Sequence, residues 1–399
     1  MKILLTQETD WLTKTIAQQH HLGEMLALEG HEIRVIDFDI NWHKQGKRGL
    51  FAKRQVYEHV SKILPNASVK VIRPGIVKIP ILVYLSLLFT HRQEIKRQIA
   101  EFSPDVIVGF GILNSYVAMR ETKRNKIPFV YYWIDVLDLL IPTKLFQPIG
   151  RWVESATLKR SDCVLAINEK LKDLVLRLGA PPQSTFVVKA GVDFSQFQVN
   201  DYSNVRNQYN IQKGDFVLFF MGWLYHFSGL KEVALQLAKF QRQDVKLLIV
   251  GDGDAFNDLQ QIQVKYNLHN SLILTGKRPY TEIPAFVGVS DICLLPAYPW
   301  EKIMQDIVPI KMYEYMAMGK PVIATKLPGV ITEFGPDHGV EYVDCPEEAL
   351  ARAIQLSSTG KINELGEKAR QFVEGQTWVR ITAQFKDILE EVVKEKKNR

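Results

Sequence analysis

The chain has 399 residues, of which 46% are hydrophobic and 24% are charged, and its net charge is +6. These fractions are typical of a soluble globular protein and exclude a largely disordered chain, while the length indicates two or three domains. Three cysteines, Cys163, Cys293 and Cys345, are too few and too scattered for a disulfide framework, which favours a reducing cytosol. The longest near-continuous apolar run, residues 79–89, is too short to span a bilayer.

In the first half of the chain, apolar runs of strand length alternate with segments of helical period. Residues 16–28 place apolar side chains on one helical face, and Gly30 follows as a helix terminator. Repeated strand–helix–strand units predict a parallel sheet with helices on both faces. Strands are predicted at Lys2–Leu5, Glu32–Phe38, Ser68–Ile72, Val106–Phe110, Pro128–Ile134, Cys163–Ile167 and Phe186–Lys189, and helices at Ile16–Leu28, Leu82–Phe102 and Gly150–Arg160.

The second half repeats the alternation after a polar stretch, residues 196–213, which predicts a linker. The predicted fold class is therefore α/β, with two Rossmann-like doubly wound domains, 1–195 and 214–376, that face a central cleft. A final helix within 377–399 is expected to pack back on the first domain. Strands are predicted at Phe216–Met221, Lys246–Val250, Leu272–Leu274, Ile292–Leu295, Pro321–Ala324 and Val340–Val343, and helices at Leu230–Gln241, Phe256–Tyr266, Ile283–Val289, Ile310–Met318 and Thr377–Lys394.

The positive charge is concentrated in one segment. Residues 44–97 contain twelve basic and two acidic side chains, and residues 76–89 are rich in Ile, Val, Leu, Tyr and Phe. Apolar residues flanked by Lys and Arg are typical of an interfacial membrane helix, so we expect contact with an anionic membrane. A buried helix with a basic edge is the alternative, and nucleic-acid binding is the least favoured. The expected membrane contacts include Lys47, Arg48, Lys53 and Arg54.

The most informative stretch is residues 306–325. Asp306 lies just before a predicted helix, Pro309 is a plausible first helical residue, and Lys311 and Glu314 follow within the helix. A helix N-terminus offers unpaired N–H groups and the positive end of a dipole, which suit phosphate, while carboxylates accept hydrogen bonds from hydroxyls. This chemistry matches a nucleotide sugar. A surface helix with ordinary i,i+3 charge pairing is the alternative.

This stretch resembles the signature of family 4 (group 1) glycosyltransferases with the GT-B fold. That signature has an acid, seven residues, a Glu, a helix of small residues and then Gly-x-Pro-Val before a strand. The resemblance implies a first domain that binds the acceptor and a second that binds the donor nucleotide. Further segments resemble the family in its own order and spacing, namely Glu29–Val35, Ser161–Leu165, Lys189–Asp193, Phe220–Leu224, Val250–Gly253 and Ser290–Pro296.

The resemblance implies roles for the donor-binding residues. Glu314 would bind the ribose hydroxyls, Asp306 would contact hydroxyls of the transferred sugar, and Lys311 would lie near the donor. Asp306 stands where the family usually has Glu, one methylene longer. The family's Arg and Lys after the first strand of the second domain are replaced by Trp223 and Ser228. We expect Trp223 in the core, and stacking on a base is the alternative. The remaining candidates are His226, Lys231, Lys277 and Arg278 for a diphosphate clamp, and Gly222, Gly251 and Gly253 for close backbone approach.

In the first domain, Asp135 follows a buried strand where the family often has His-Asp. We expect it to orient the acceptor hydroxyl, and a cap for the following segment is the alternative. Asp10, in the first loop, is a weaker acceptor candidate. Related enzymes retain the anomeric configuration and generally need no metal. The sequence has no His/Cys/Asp cluster with zinc spacing, so we expect no metal and no cofactor beyond the donor substrate.

Together these features predict a retaining, metal-independent glycosyltransferase, peripheral on the cytoplasmic face of the cell membrane. It would move a sugar from a nucleotide-diphosphate sugar to a lipid-linked or polysaccharide acceptor. The expected partners are the nucleotide sugar, that acceptor and an anionic membrane surface, without nucleic acid. A soluble transferase with a small-molecule acceptor and a non-catalytic nucleotide-sugar-binding subunit are the alternatives.

Overall fold

A computed structural model describes residues 1–14, 16–40, 49–137, 141, 143–198, 202–240, 242–306 and 308–398. The chain forms two compact units. Unit 1 contains Met1–Lys189 and Trp378–Arg399, and unit 2 contains Ala190–Thr377. Lys47 and Arg48, expected at a membrane, lie outside the described residues.

Unit 1 is a mostly parallel sheet with helices in the crossover connections. Its helices before residue 190 are α1 Gln18–Leu28, α2 Leu82–Phe102, α3 Leu113–Asn125, α4 Gln147–Leu158 and α5 Glu169–Arg177. Its strands are β1 Lys2–Gln7, β2 Glu32–Ile36, β3 Phe51–Ala52, β4 Gln55–Val60, β5 Val69–Arg73, β6 Ile76–Val77, β7 Val106–Phe110, β8 Phe129–Trp133, β9 Cys163–Ala166 and β10 Thr185–Val187.

Eight of these strands form one sheet in the order β10-β9-β8-β7-β1-β2-β5-β4, while β3 and β6 form a separate antiparallel pair. Within the sheet, β4 is the antiparallel edge strand, and it pairs with β5 through a shift in register. Every residue of β7, β8 and β9 is buried. Continuous apolar runs of this kind are typical of central parallel strands, because helices cover both faces.

Unit 2 contains the second parallel sheet, in the strand order β13-β12-β11-β14-β15-β16. The predicted α/β class with parallel doubly wound sheets is therefore confirmed. The helices of unit 2 are α6 Ser203–Gln208, α7 Leu230–Phe240, α8 Phe256–Lys265, α9 Ile283–Gly288, α10 Ile310–Ala317, α11 Pro328–Phe334, α12 Ala349–Thr359 and α13 Ile362–Val373. Its strands are β11 Phe216–Met221, β12 Val245–Val250, β13 Leu272–Leu274, β14 Ile292–Leu295, β15 Val322–Thr325 and β16 Val340–Val343.

The last helix, α14 (Trp378–Asn398), belongs to unit 1 although it follows unit 2 in sequence. It packs on α1, where the rings of Trp378 and His21 stack with centroids 4.0 Å apart. Phe385 on the same helix is buried against Tyr132 of β8. The Lys396 ammonium adds an ion pair of 2.7 Å to the Asp162 carboxylate.

A buried ionic cluster joins the carboxyl ends of three neighbouring strands of unit 1. The Arg73 guanidinium, at the end of β5, lies 2.8 Å from the Asp10 carboxylate after β1 and 2.6 Å from the Asp37 carboxylate after β2. Asp10 and Asp37 are almost fully buried. Burial opposes ionisation of Arg73, but the two carboxylates outweigh this cost and raise its pKa. The cluster therefore holds three loops together through one cation that the carboxylates share.

Replacing Arg73 by Met should strongly destabilise unit 1, because two buried carboxylates would lose their counter-ion. Removing one partner of a buried ion pair costs about 3–5 kcal/mol. The loss should shrink as the pH falls, since the stranded carboxyl groups then take up protons. Urea unfolding at pH 7.5 and pH 5 measures both effects. Lys70→Met, which breaks the exposed Lys70–Glu58 pair, should cost less than about 1 kcal/mol, and an equal loss in the two variants would contradict the assignment.

Candidate active site

The carboxyl edge of the unit 2 sheet contains a topological switch point. β11 lies in the middle of the sheet, with β12 on one side and β14 on the other, so the connections leave in opposite directions. Ligands of open α/β sheets bind in the crevice at such a point. The loop after β11 begins at Gly222. Helix α10 connects β14 to β15 and begins at the same edge of the sheet.

The Glu314 carboxylate lies in α10 and is only 5% exposed. It accepts a hydrogen bond of 2.5 Å from the hydroxyl of Tyr280, which precedes α9. Burial raises the pKa of Glu314 to about 7, although the Tyr280 hydroxyl and the Lys311 ammonium act in the opposite direction. A buried carboxyl group with a raised pKa at this edge of the sheet is a candidate functional group.

Lys311 occupies the first turn of the same helix. Its ammonium lies 4.0 Å from the centroid of the Phe220 ring in β11. Burial lowers the pKa of Lys311 to about 8, while Glu314 opposes this shift. Pro309 precedes the helix in an extended conformation as its N-cap, so α10 begins at Ile310 as predicted and Pro309 is not its first helical residue.

The predicted glycines form a close contact between the loops after β11 and β12. Gly251 has φ +146°, and a Cβ atom there would lie 1.9 Å from the Gly222 carbonyl oxygen. A Cβ atom at Gly253 would lie 2.7 Å from the Leu224 nitrogen. A residue with a side chain would be strained in this backbone conformation, and its Cβ atom would clash with the neighbouring loop. Glycine is therefore required for the two loops to pack. A direct donor contact by these glycines stays a prediction.

Two of the predicted phosphate-binding cations have protein partners. The Lys231 ammonium forms an ion pair of 2.9 Å with the Asp258 carboxylate. The Arg278 guanidinium donates to the Tyr209 hydroxyl and lies 5.8 Å from the centroid of that ring. Both side chains are therefore engaged within the protein before any ligand binds.

The other predicted donor residues are partly or fully open to solvent. His226 and Lys277 are exposed, and Asp306 is half-buried between the short helical turn Lys302–Met304 and α10. The expectation that Trp223 lies in the core is wrong, because its side chain is 43% exposed. Its chain position, two residues beyond β11, takes it past the end of the buried strand.

The carboxyl edge of unit 1 contains two acidic side chains, one after β8 and one after β1, and β1 lies beside β7 at the switch point of this sheet. Asp135 follows β8 and is half-buried. Burial raises its pKa to about 6, and the Lys14 ammonium acts against this shift. Glu8, after β1, accepts a hydrogen bond of 2.6 Å from the Asn114 backbone, and burial raises its pKa to about 7. Both groups are poised to exchange a proton near neutral pH.

Asp10, the weaker acceptor candidate, is fixed in the Arg73 cluster. Its Oδ1 atom accepts hydrogen bonds of 2.9 Å from the backbone nitrogens of Leu12 and Thr13. Burial would raise the pKa of Asp10, but the hydrogen bonds from Thr13 and Arg73 outweigh it and lower the pKa. The position is thus strongly determined by the fold, and its acceptor role stays a prediction.

The expected membrane residues of unit 1 differ in their surroundings. Arg54 makes a bidentate pair with Glu94 of α2, with N–O distances of 2.7 and 2.9 Å. Lys53 is exposed. No described helix combines the length and hydropathy needed to cross a membrane.

The apolar surface near these residues is larger than the sequence suggested. One side of α2 is buried through Val83 and Leu87, while the other exposes apolar side chains at helical spacing. The start of α4 also exposes apolar side chains, and it lies outside the basic segment 44–97. Because both helices run antiparallel to the strands, their N-terminal halves lie at the carboxyl edge of the sheet. We call the exposed set the apolar rim: Leu50, Phe51, Ile81, Leu82, Leu85, Phe89, Leu145, Ile149 and Trp152, each between 44% and 78% exposed.

Sequence reasoning missed Tyr280 and Glu8. Tyr280 lies in the connection between β13 and α9, and its partner Glu314 is distant in sequence. The residues around Tyr280 therefore contain no pattern that predicts this contact. Glu8 follows the buried strand β1, and a carboxylate at that position is a signal of the kind used for Asp135. Across the described residues, no group of three or more His, Cys, Asp or Glu side chains is arranged to hold a metal ion.

The chain contains two doubly wound α/β units, and α10 of the second unit carries a buried carboxylate. These are features of the GT-B class of proteins. Residues 201–375 match the family model "Glycosyl transferases group 1", and residues 19–196 match "Glycosyltransferase Family 4". Together the two models cover most of the chain. The protein belongs to the family 4, group 1 glycosyltransferases, as its sequence motifs suggested.

Curated relatives match parts of the chain. TuaH of Bacillus subtilis, assigned to teichuronic acid biosynthesis as a glycosyltransferase, is 28% identical over 56% of this chain and 56% of its own length. The UDP-Gal:alpha-D-GlcNAc-diphosphoundecaprenol alpha-1,3-galactosyltransferase of Escherichia coli is 26% identical over 53% of this chain and 50% of its own length. The chain thus spans about half the length of the curated relatives it matches.

A solved structure resembles the whole chain. The sucrose-phosphate synthase of Thermosynechococcus elongatus superposes with a TM-score of 0.76 and covers 98% of this chain and 99% of its own. Its sequence identity is 19%, so the likeness concerns the fold.

Replacing Gly251 by Ala should destabilise unit 2 and separate the loops after β11 and β12. A side chain in a backbone conformation reserved for glycine costs about 1–3 kcal/mol, and the clash with Gly222 adds to this cost. Gly214→Ala is the matched control, because a Cβ atom there would contact nothing within 4 Å. It should change stability by no more than about 0.5 kcal/mol. Denaturant unfolding of both variants measures the difference, and equal stabilities would refute the packing role.

Proposed function

We propose that the protein is a retaining glycosyltransferase that uses no bound metal. It would move a sugar from a nucleoside-diphosphate sugar to a lipid-linked or polysaccharide acceptor at the cytoplasmic face of the membrane. The observation that carries the proposal is the Glu314 carboxylate, buried at the switch point of unit 2 and bonded to a hydroxyl. Membership of the glycosyltransferase family supports it.

The donor would bind to unit 2 through hydroxyl and phosphate contacts. One oxygen of Glu314 accepts from Tyr280, which orients the carboxylate and leaves its other oxygen for the ribose hydroxyls. Asp306, half-buried before α10, would contact hydroxyls of the sugar. The first turn of α10 supplies backbone N–H groups and a positive dipole end near the diphosphate. The E. coli relative uses a UDP-sugar by name, so UDP is a suitable probe.

The acceptor would bind to unit 1, with Asp135 beside its hydroxyl. A carboxyl group with a pKa raised to about 6 is mostly ionised at pH 7 and able to orient an O–H group. In the retaining reaction the leaving diphosphate takes the proton of the acceptor hydroxyl on the same face of the sugar. Side-chain and backbone donors, rather than a metal ion, would stabilise the negative charge on that leaving group.

The apolar rim supports a lipid-linked acceptor. Its side chains lie at the same edge of the unit 1 sheet as Asp135, and exposed apolar patches of this kind mark protein or membrane contacts. Lys53, Lys144 and Arg151 are exposed basic residues in or beside its segments, which favours an anionic surface. The name of the E. coli relative includes a diphosphoundecaprenol acceptor, and that of TuaH includes a cell-envelope polymer.

Two other functions remain to be distinguished by experiment. A soluble transferase with a small-molecule acceptor would turn over a UDP-sugar without membranes. A non-catalytic binding subunit would bind UDP and release none from a UDP-sugar under any condition. Measuring UDP release with and without membranes that carry lipid-linked glycans separates the three.

Replacing Glu314 by Gln keeps the side-chain shape but removes the charge. A hydrogen bond to a charged group contributes about 1.5–3 kcal/mol, so UDP affinity should fall roughly ten- to a hundred-fold. Wild-type affinity should rise as the pH rises through about 7, because Glu314 ionises there, and this rise should be absent in the variant. Calorimetry from pH 5.5 to 7.5 tests both points. Glu364→Gln, an exposed control on α13, should behave like the wild type, and unchanged UDP binding by Glu314→Gln would exclude the role.

Membrane contact through the apolar rim predicts flotation with anionic liposomes that weakens as salt rises, since the field decays within roughly 10 Å at 0.1 M salt. Vesicles of phosphatidylglycerol and of phosphatidylcholine provide the comparison. Flotation should be lost in the triple variant Leu85→Asp, Phe89→Asp and Trp152→Asp.

The matched control places the same charges on exposed apolar residues of unit 2, in the triple variant Phe240→Asp, Val264→Asp and Tyr266→Asp. It should float like the wild type. Equal recovery of the wild type with anionic and neutral vesicles would remove the membrane contact, and the soluble transferase would then be the leading function.

A further inference from the structure

Among the described residues the ammonium of Lys311 forms no ion pair, although the Glu314 carboxylate one turn away acts on its pKa. In the described part of the chain it makes no hydrogen bond and no ion pair within 4.0 Å, and its contact is the face of the Phe220 ring. The side chain is half-buried. Moving an ammonium out of water without a counter-ion is unfavourable, and a flexible lysine stem would ordinarily return it to solvent. A feature of the fold therefore holds this cation in place.

Gly222 provides the space for that ammonium. The loop after β11 begins there with φ +129°, and a Cβ atom on Gly222 would lie 2.6 Å from Lys311 Nζ. The cation therefore lies against backbone at the carboxyl end of the central strand. Phe220 below it and Gly222 beside it fix its position without neutralising it.

The other cations of this edge are less suited to the same task. Lys231 and Arg278 already have partners in Asp258 and Tyr209, and His226 and Lys277 are exposed. Lys311 differs because it is half-buried, held by the fold and one helical turn from Glu314. A nucleoside diphosphate offers hydroxyls and phosphates only a few bonds apart, which matches a carboxylate and an ammonium at i and i+3.

We infer that Lys311 is the cation that binds the diphosphate of the donor and stabilises it as the leaving group. This inference rests on the proposed function. In the transfer step, the bond between the anomeric carbon and the diphosphate oxygen breaks, and its electron pair stays on that oxygen beside Lys311. The acceptor oxygen forms the new bond to the anomeric carbon, and its proton passes to the diphosphate.

Lys311→Met tests the inference, since Met keeps the length and the contact with Phe220 but not the charge. Calorimetry with UDP and with uridine separates the phosphate contribution from the nucleoside. We expect UDP affinity to fall about ten- to a hundred-fold and uridine affinity to fall much less, because the lost charge acts on the ribose only through the pKa of Glu314. Lys239→Met, an exposed lysine on α7, is the control and should match the wild type. Equal loss for both ligands, or no loss for UDP, would overturn the inference.

The pH dependence of the wild type gives a second test that needs no neutral variant. Because Lys311 loses its proton above about pH 8, UDP affinity should fall between pH 8 and 9.5. The uracil ring also ionises at about pH 9, so uridine is the reference: Lys311→Arg keeps its charge and should lose UDP and uridine affinity in parallel, while the wild type should lose UDP affinity more steeply. A wild-type profile without this steeper fall would overturn the inference. If the wild type binds UDP and transfers sugar while Lys311→Met is unaffected, only this inference fails. If it binds no nucleoside diphosphate of a panel, the proposed function fails with it.

Discussion

A parallel sheet covered on both faces disfavours charged side chains within its central strands. In β7, β8, β9 and β14 every residue is buried and none is charged. Charged groups in the segments that contain these strands therefore lie beyond the strand ends. The carboxyl ends of parallel strands all meet at one edge of the sheet. Glu8 and Asp135 in unit 1 and Glu314 in unit 2 follow this rule. The same burial that shapes the sheet partly desolvates these groups and raises the pKa of each carboxyl.

The two edges use charge in different ways. In unit 1, Arg73 lies within hydrogen-bonding distance of Asp10 and Asp37, so both carboxylates share one cation and the cluster stabilises the loops. In unit 2, Glu314 and Lys311 lie near each other without forming an ion pair. The pKa of the carboxyl is raised and that of the ammonium is lowered, so both groups are displaced toward their neutral forms. Such a site gains most from a ligand that supplies the missing opposite charges.

Prediction from sequence succeeded where one local pattern determined the element. The bounds predicted for β7, β11 and α2 are the observed ones. A short continuous apolar run forms a buried strand, and a long helical period forms a helix. It missed the antiparallel strand β4, whose side chains are all exposed or half-buried and lack an apolar face. Tyr280 was missed because its partner is 34 residues away. The positive segment was counted correctly, yet the count could not reveal that Arg54 and Arg73 are paired with acids.

The return of α14 to unit 1 has a consequence for biosynthesis. Residues 190–377 are continuous, so unit 2 is built from one uninterrupted segment that is synthesised before α14. Unit 1 begins the chain but cannot cover His21 and Tyr132 until Trp378 and Phe385 have emerged. Domains generally fold in the order of their synthesis. Here unit 1 is completed only after unit 2 has been synthesised, and a chain without α14 would expose an apolar surface on unit 1.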